Sequence, residues 1–386
     1  MFSPTLWLLA ATLLSLLIWL VLLLFWGQFW RTDQRLRGSA PTVWPRIGVV
    51  IPARNEAAVI ATSVRSLLQQ NYRGDFQIVL VDDQSEDGTA AVAQQTAAEL
   101  GKLAQLTVIQ GEPLPPGWSG KLWALSQGIA VASQLNPDYL LLTDADIAHD
   151  PENLGQLVAH AHTHHCALVS LMVKLRCQSV WEKLLIPAFV FFFAKLYPFR
   201  WVNDPQRSTA AAAGGCILIE TPVLEKIGGI ACIRDALIDD CSLAAAVKRA
   251  GYKIWLGLTS TTVSLRAYTT LDSIWQMVAR TAYTQLSYSP LLLGGTVIGM
   301  TLVYLMAPMA LGTGLVLQQP GLVALGSYVW LLMAIAYAPT VRFYGLGWPW
   351  ALTLPAIATL YTLMTLDSAR RHWQGRGGAW KGRVYP

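Results

Sequence analysis

Apolar positions along this chain follow two different rhythms. Residues 1–30 carry no charge, and residues 5–26 form a nearly unbroken Leu/Ala/Trp run of the length a bilayer demands of one helix. From residue 47 the rhythm shortens. Apolar runs at 47–51, 77–81, 106–109 and 138–142 read as buried strands, and the segments at 57–70, 89–100 and 121–132 read as helices, the first with Ile60, Val64, Leu67 and Leu68 on one face. Strands alternating with helices at this spacing predict an α/β unit over residues 47–280, built on a mostly parallel sheet with right-handed crossovers. Residues 281–366 are apolar again, with Arg342 as their one charged residue. Gln318-Gln319-Pro320 and Gly345-Leu346-Gly347 divide them into three candidate spans near 291–317, 322–344 and 348–366.

With 386 residues, 54% of them hydrophobic and 13% charged, the chain is too apolar for an ordinary soluble enzyme. The N-terminal run lacks the basic start, short core and small-residue cleavage site of a signal peptide, so it reads as an anchor. The linker 31–46 carries four Lys/Arg (Arg31, Arg35, Arg37, Arg46) and one acid; the tail 367–386 carries five (Arg370, Arg371, Arg376, Lys381, Arg383) and one. That leaves 19 basic and 21 acidic residues elsewhere, so the net charge of +5 comes from the membrane flanks, which suit anionic headgroups. The positive-inside rule places linker, catalytic unit and tail in the cytoplasm of a multi-pass inner (plasma) membrane protein. Three full C-terminal crossings would put the tail outside, so a cytoplasmic tail requires one re-entrant or interfacial segment.

The soluble part has no basic patch with interleaved aromatics, which argues against nucleic acid as a partner. Cys166, Cys177, Cys216, Cys232 and Cys241 form no CxxC and read as reduced, mostly buried thiols. His160, His162, His164 and His165 sit on a helix whose period does not bring all four to one face, which disfavours a metal cluster. The apolar stretch 184–195, broken by Pro187 and bracketed by Glu182, Lys183 and Lys195, reads as an interfacial helix; a buried core helix is the alternative.

Two acidic clusters follow strand-like runs: Asp82-Asp83-Gln84-Ser85-Glu86-Asp87 and Thr143-Asp144-Ala145-Asp146. Carboxylates at the carboxyl ends of neighbouring parallel strands converge on one crevice, where they can hold a divalent cation and the phosphates it carries. Each has a plainer reading: a turn and N-cap for the first, a solvated turn for the second. Asp144 and Asp146 are the more specific pair, because two carboxylates right after a wholly apolar strand are costly without a cation or donors to satisfy them. Asp239-Asp240 also precedes a helix, at 242–250, and so also has an N-cap reading; two adjacent carboxylates on a loop repel, which lifts one of them toward general-base range.

Together Val50–Glu56 (Val-Ile-Pro-Ala-Arg-Asn-Glu), Val81–Thr89, Gly120–Leu125, Thr143–Asp146 and Ile238–Asp240 resemble family 2 glycosyltransferases of the GT-A fold, over about 47–280. The anchor, Gly214-Gly215-Cys216, the segment 280–286 and the terminal segment 380–383 look most like the bacterial hopene-associated members. The resemblance implies a nucleotide-diphosphate-sugar donor, UDP- or GDP-linked, and a divalent cation, Mg2+ or Mn2+. It also implies roles. Glu56 and the backbone at Ala53 would line the base pocket, Asp82 and Asp83 would contact base or ribose, and Lys121 and Arg280 would reach the diphosphate. Asp144 and Asp146 would hold the metal, and Asp144 would thereby also touch the donor. Asp240 would be the base, supported by Asp239, with Gly214 and Gly215 lining the acceptor side. One departure matters: where processive members carry Gln-x-x-Arg-Trp, this chain has Gln276 and Arg280 with one extra residue between them and no following Trp, which puts polymer threading in doubt.

The expected function is inverting transfer of a sugar from the nucleotide donor to a membrane lipid, a hopanoid or related isoprenoid. A polyprenyl-phosphate glycosyltransferase differs only in acceptor. A non-catalytic membrane scaffold or transport component that keeps a nucleotide-sugar fold is the alternative of another class.

Overall fold

The computed structural model describes residues 4–36 and 41–376 with their side chains, and the backbone of Ala379–Trp380 and Arg383–Val384. Arg37 and Lys381, counted above in the basic flanks, lie outside the described residues. The α/β unit is built on β1 (Ile47–Ala53), β2 (Phe76–Asp82), β3 (Leu106–Gln110), β4 (Tyr139–Leu142), β5 (Ile147–Ala148), β6 (Leu168–Lys174), β7 (Ile217–Glu220) and β8 (Ile254–Ser264). They form one sheet in the order β3-β2-β1-β4-β7-β6-β8-β5. The four strands expected from the sequence are the parallel half. The other half is mixed: β7 runs antiparallel to both neighbours, and β5 pairs antiparallel with β8. The β4/β7 junction, where direction changes, lies at the carboxyl end of β4, where Asp144 and Asp146 emerge.

Helices α2 (Ala57–Leu68), α3 (Thr89–Glu99), α4 (Gly120–Ser133) and α5 (Asn153–His164) cover the sheet, as the apolar periodicity requires. The first acidic cluster partly serves them. Asp87 accepts from the backbone N–H of Thr89 and of Ala57, at 3.1 and 2.9 Å, so one carboxylate ties together the starts of α3 and α2. Desolvation alone would raise its pKa, but the Thr89 hydroxyl and these backbone donors together lower it.

Helix α1 (Pro4–Phe25) packs with three C-terminal helical segments: α11 (Pro290–Met300) running through a π-turn (Thr301–Leu305) into α12 (Met306–Val316), then α13 (Pro320–Phe343), then α14 (Leu354–Trp373), which a 3-10 turn (Trp348–Thr353) introduces. All four are long and apolar enough to cross a membrane. The π-turn has a cause in the sequence. Pro308 lacks the N–H that would bond five residues back to Val303, and the Val303 carbonyl is taken instead by Trp19 Nε1 at 2.8 Å and Ser15 Oγ at 3.3 Å from α1. Removing the indole leaves this buried carbonyl with the longer Ser15 bond in place of the shorter one. Trp19→Phe is therefore expected to cost about 1–3 kcal/mol, read as a lower unfolding midpoint in detergent, while Trp7→Phe, on an exposed position, leaves the midpoint in place. Gly326 lets α13 lie against α12, since a Cβ there would stand 2.7 Å from the Ala307 carbonyl oxygen.

Helix α6 (Val180–Leu196) corrects the interfacial expectation for 184–195. It opens on a capping box, Ser179 with Glu182, and is buried along most of its length. Ile186 and Val190 join the core of the α/β unit, whereas Leu185, Ala188, Phe191 and Phe192 join the core of the apolar helices. A helix apolar all round is a buried helix, and this one mortises the two cores together. The remaining elements are α7 (Phe199–Val202), α8 (Thr221–Lys226), α9 (Asp239–Arg249), α10 (Leu271–Ala279) and a short antiparallel pair, β9 (Ala379–Trp380) with β10 (Arg383–Val384).

The last apolar segment does not repeat the others. Trp330, near the middle of α13, donates to the Leu352 carbonyl at 3.0 Å, so the chain turns back along α13 before α14 begins. At one end of this segment Phe343 and Tyr344 meet Lys174 of β6; at the other, Arg371 bonds Gln276 of α10 and Asp367 accepts from Trp275 at 2.8 Å. Both ends of 344–371 therefore rest against the α/β unit.

Candidate active site

The carboxyl ends of β1 and β4 and the starts of α4 and α9 surround a cleft of about 630 Å³. Its centre is a lysine among acids. Lys121, in the first turn of α4, lies 2.9 Å from Asp144 and 3.0 Å from Asp239. Burial by itself would lower the Lys121 pKa, but Asp144 and then Asp239 lift it well above its ordinary value, so it is held as a cation.

Asp240 is not an N-cap. Helix α9 begins at Asp239, and the Asp240 carboxylate accepts from the Gly214 N–H at 2.9 Å and from the Cys241 N–H at 2.7 Å. Burial, then the neighbouring Asp239 carboxylate, pushes its pKa up to about 6 against the opposing pull of Lys121 and the two backbone donors. Gly214 lets Lys121 approach closely, since a Cβ there would stand 3.1 Å from Lys121 Nζ. Gly215 is held from behind: its carbonyl accepts from Thr143 Oγ1 at 2.8 Å, and Thr143 contacts His149 Nε2 at 2.9 Å. Asn153 meets His149 Nδ1, so the buried ring is neutral and carries its proton on Nε2, consistent with a pKa that burial pushes down to about 3. This chain ties the turn bearing Asp144 and Asp146 to the Gly214-Gly215 loop.

Asp146 sits opposite Lys121. Arg266, just past β8, places Nε 2.8 Å from Asp146 Oδ2 and Nη2 2.5 Å from Glu56 Oε1. Asp144 is half-exposed, and burial and the nearby Asp146 raise its pKa while Lys121 lowers it. Two carboxylates that repel across a cleft fit a cation. Among the described residues no group of three or more His, Cys, Asp or Glu is placed to hold a metal ion by itself, which leaves the pair Asp144 and Asp146. That donor set suits Mg2+ or Mn2+, which take one or two carboxylates and fill the remaining positions with substrate phosphate and water.

Of the residues expected in the site, Glu56, Lys121, Asp144, Asp146, Gly214, Gly215, Asp239, Asp240 and Arg280 all line this cleft. Ala53, Asp82 and Asp83 do not. Asp82 and Asp83 are 5% and 1% exposed, the Ala53 carbonyl is taken by the Asp83 N–H, and Arg54 lies over Asp83, donating to its carbonyl at 2.6 Å. Residues that the pattern did not single out are Arg54, His149, Arg266 and Tyr268. A basic residue just after a strand is the available signal for Arg266, but β8 is rich in Thr and Ser, which hides the strand from its apolar pattern. From the far side Phe189 and Phe193 of α6, Met277 of α10, and Arg371 and Arg376 complete the lining, so the cleft runs on to the apolar helices.

GT-A is the class of fold that this sheet order and the cleft at its carboxyl ends define. The chain belongs to Glycosyltransferase like family 2, whose pattern matches residues 45–284, and its fold is GT-A. It is similar to the probable glycosyltransferase YdaM of Bacillus subtilis (26% identical over 215 residues, 54% of this chain and 48% of YdaM). It is also similar to the undecaprenyl-phosphate 4-deoxy-4-formamido-L-arabinose transferase of Pseudomonas savastanoi (30% over 179 residues, 45% of this chain and 46% of that protein). The chain thus spans about half the length of these relatives. Among solved structures, the mannosyltransferase PcManGT from Pyrobaculum calidifontis, in complex with GDP-Man and Mn2+, superposes with a TM-score of 0.57 at 19% identity, covering 95% of this chain and 97% of that one.

Proposed function

We propose that this glycosyltransferase moves a sugar from a nucleotide diphosphate onto the hydroxyl of a membrane lipid, a hopanoid or related isoprenoid, with inversion. The observation that carries it is Asp240, a raised-pKa carboxylate pinned by the Gly214 N–H where the polar cleft meets the apolar wall of Phe189, Phe193 and Met277. Asp240 takes the proton of the acceptor hydroxyl as its oxygen attacks the anomeric carbon, and the bond from that carbon to the diphosphate breaks with its electrons leaving on the nucleotide. Lys121 stands where the departing diphosphate gains charge. A cation on Asp144 and Asp146 would supply further neutralisation of that leaving group. Glu56 lines the nucleoside end; Asp82 and Asp83 reach a base or ribose there only once Arg54 moves aside. A single displacement with inversion needs one base, the part that this reading gives to Asp240.

The same reading orders the membrane part. Because both ends of 344–371 rest on the α/β unit, α14 is re-entrant: α1, the α11–α12 helix and α13 cross, and the tail returns to the catalytic, cytoplasmic side at the inner membrane. This removes the conflict between three spans and a basic cytoplasmic tail. A polyprenyl-phosphate acceptor is the second reading, favoured by Arg371 and Arg376, which line the cleft together with Phe189, Phe193 and Met277. Membranes carrying the chain, given radiolabelled UDP- or GDP-sugars with Mn2+, are expected to move label into the organic lipid phase, and EDTA is expected to abolish it. Mild-acid release of the label would indicate a lipid phosphate acceptor. Absence of any label transfer would leave the scaffold reading.

A further inference from the structure

Arg266 is absorbed by no role above, yet it makes two of the shortest ion pairs in the cleft. Its placement is not left to a flexible side chain. The Leu265 N–H donates to the Asp146 carbonyl at 2.7 Å, β5 and β8 pair Ile147 with Ser264, and the Ser264 hydroxyl also reaches Asp146 Oδ2 at 3.4 Å. Two residues on, the Tyr268 N–H donates to the buried Glu182 at 2.8 Å, which Arg176 also holds, fixing the exit of the segment against α6. The guanidinium bridges two residues that follow neighbouring parallel strands: Glu56, after β1, and Asp146, after β4.

We propose that Arg266 is a positioning residue that couples the nucleoside end of the donor site to its cation end, so that cation and nucleoside diphosphate bind together rather than cation first. The inference rests on the donor site described above. The physics is a balance of charge. Arg266 occupies Asp146 Oδ2 and partly neutralises the acids, which weakens the pull on a lone divalent cation. When the cation arrives bearing a diphosphate, the same guanidinium and Lys121 face added negative charge and hold it. The planar fork also sets where Glu56 and Asp146 stand relative to each other, which an ammonium would not do.

Calorimetric titration of the purified full chain in detergent tests this without any activity readout, using Mn2+ alone, then UDP and GDP each at saturating Mn2+. Arg266→Met is expected to bind Mn2+ alone several-fold more tightly than wild type and the better nucleotide with Mn2+ at least about tenfold more weakly, as loss of a charge-assisted pair implies. Arg266→Lys is expected to keep wild-type affinity for Mn2+ alone but still lose affinity for nucleotide. If both affinities fall together in Arg266→Met, the arginine is a scaffold element and the proposal is wrong; it is equally wrong if neither moves. Wild-type protein that binds no nucleotide with Mn2+ refutes the donor site itself, a distinct outcome seen before any variant is compared.

Discussion

Asp240→Asn is expected to lower sugar transfer to lipid by about 10²–10⁴-fold while leaving nucleotide binding within a few-fold of wild type. Asn keeps the size of the side chain, and its one oxygen can hold either the Gly214 N–H that Oδ2 takes or the Cys241 N–H that Oδ1 takes, while its NH2 is turned toward the other. What it loses is the ability to accept a proton. The wild-type rate carries the same signature in its pH dependence. A base with a pKa of about 6 is protonated and idle below that value, so transfer should rise through pH 6 and level off above it. A flat profile between pH 5 and 8 together with an active Asn variant would remove Asp240 from the mechanism.

Lys121→Met should be the next most damaging change, lowering kcat/KM by about 10²–10³-fold. The ammonium holds apart Asp144 and Asp239, at 2.9 and 3.0 Å, and pulls the Asp240 pKa down. Its loss removes charge from the diphosphate side and leaves three acids to repel one another. The residual activity should therefore show its acidic limb displaced to higher pH, because Asp240 no longer has a cation beside it. A Met variant with reduced rate but an unmoved limb would mean that Lys121 acts on the donor alone. Lys121→Arg tests geometry against charge: the guanidinium keeps the charge but replaces the compact ammonium that meets Asp144 and Asp239 with a planar fork.

How far the sequence could be read varied from element to element. The runs 47–51, 77–81, 106–109 and 138–142 were legible because parallel strands buried on both faces are continuously apolar, and each differs from its observed strand by no more than a residue or two at either end. The mixed half of the sheet was not. β8 carries Gly257, Thr259, Ser260, Thr261 and Thr262, and its pairing depends on β6, over eighty residues away in the chain. Arg266 stayed hidden with it. Helix α6 could not be placed because a wholly apolar helix looks the same to a periodicity analysis against lipid or inside protein; its two buried faces exist only once both cores are formed.

Asp144, Asp146, Asp239 and Asp240 stand out in the chain alone, because acids set directly after apolar strands or before helices announce themselves locally, whereas Lys121 enters only through the family resemblance. Their joining through Lys121, the grip of the Gly214 N–H on Asp240, and the cover of Arg54 over Asp83 needed the folded chain, since each partner lies tens of residues away or more. The same holds for the membrane part. The lengths and hydrophobicity of four apolar helices follow from local composition. That the last of them turns back at Leu352 and returns Arg371 to Gln276 is a matter of packing, decided by contacts with α13 and α10 that no local pattern records.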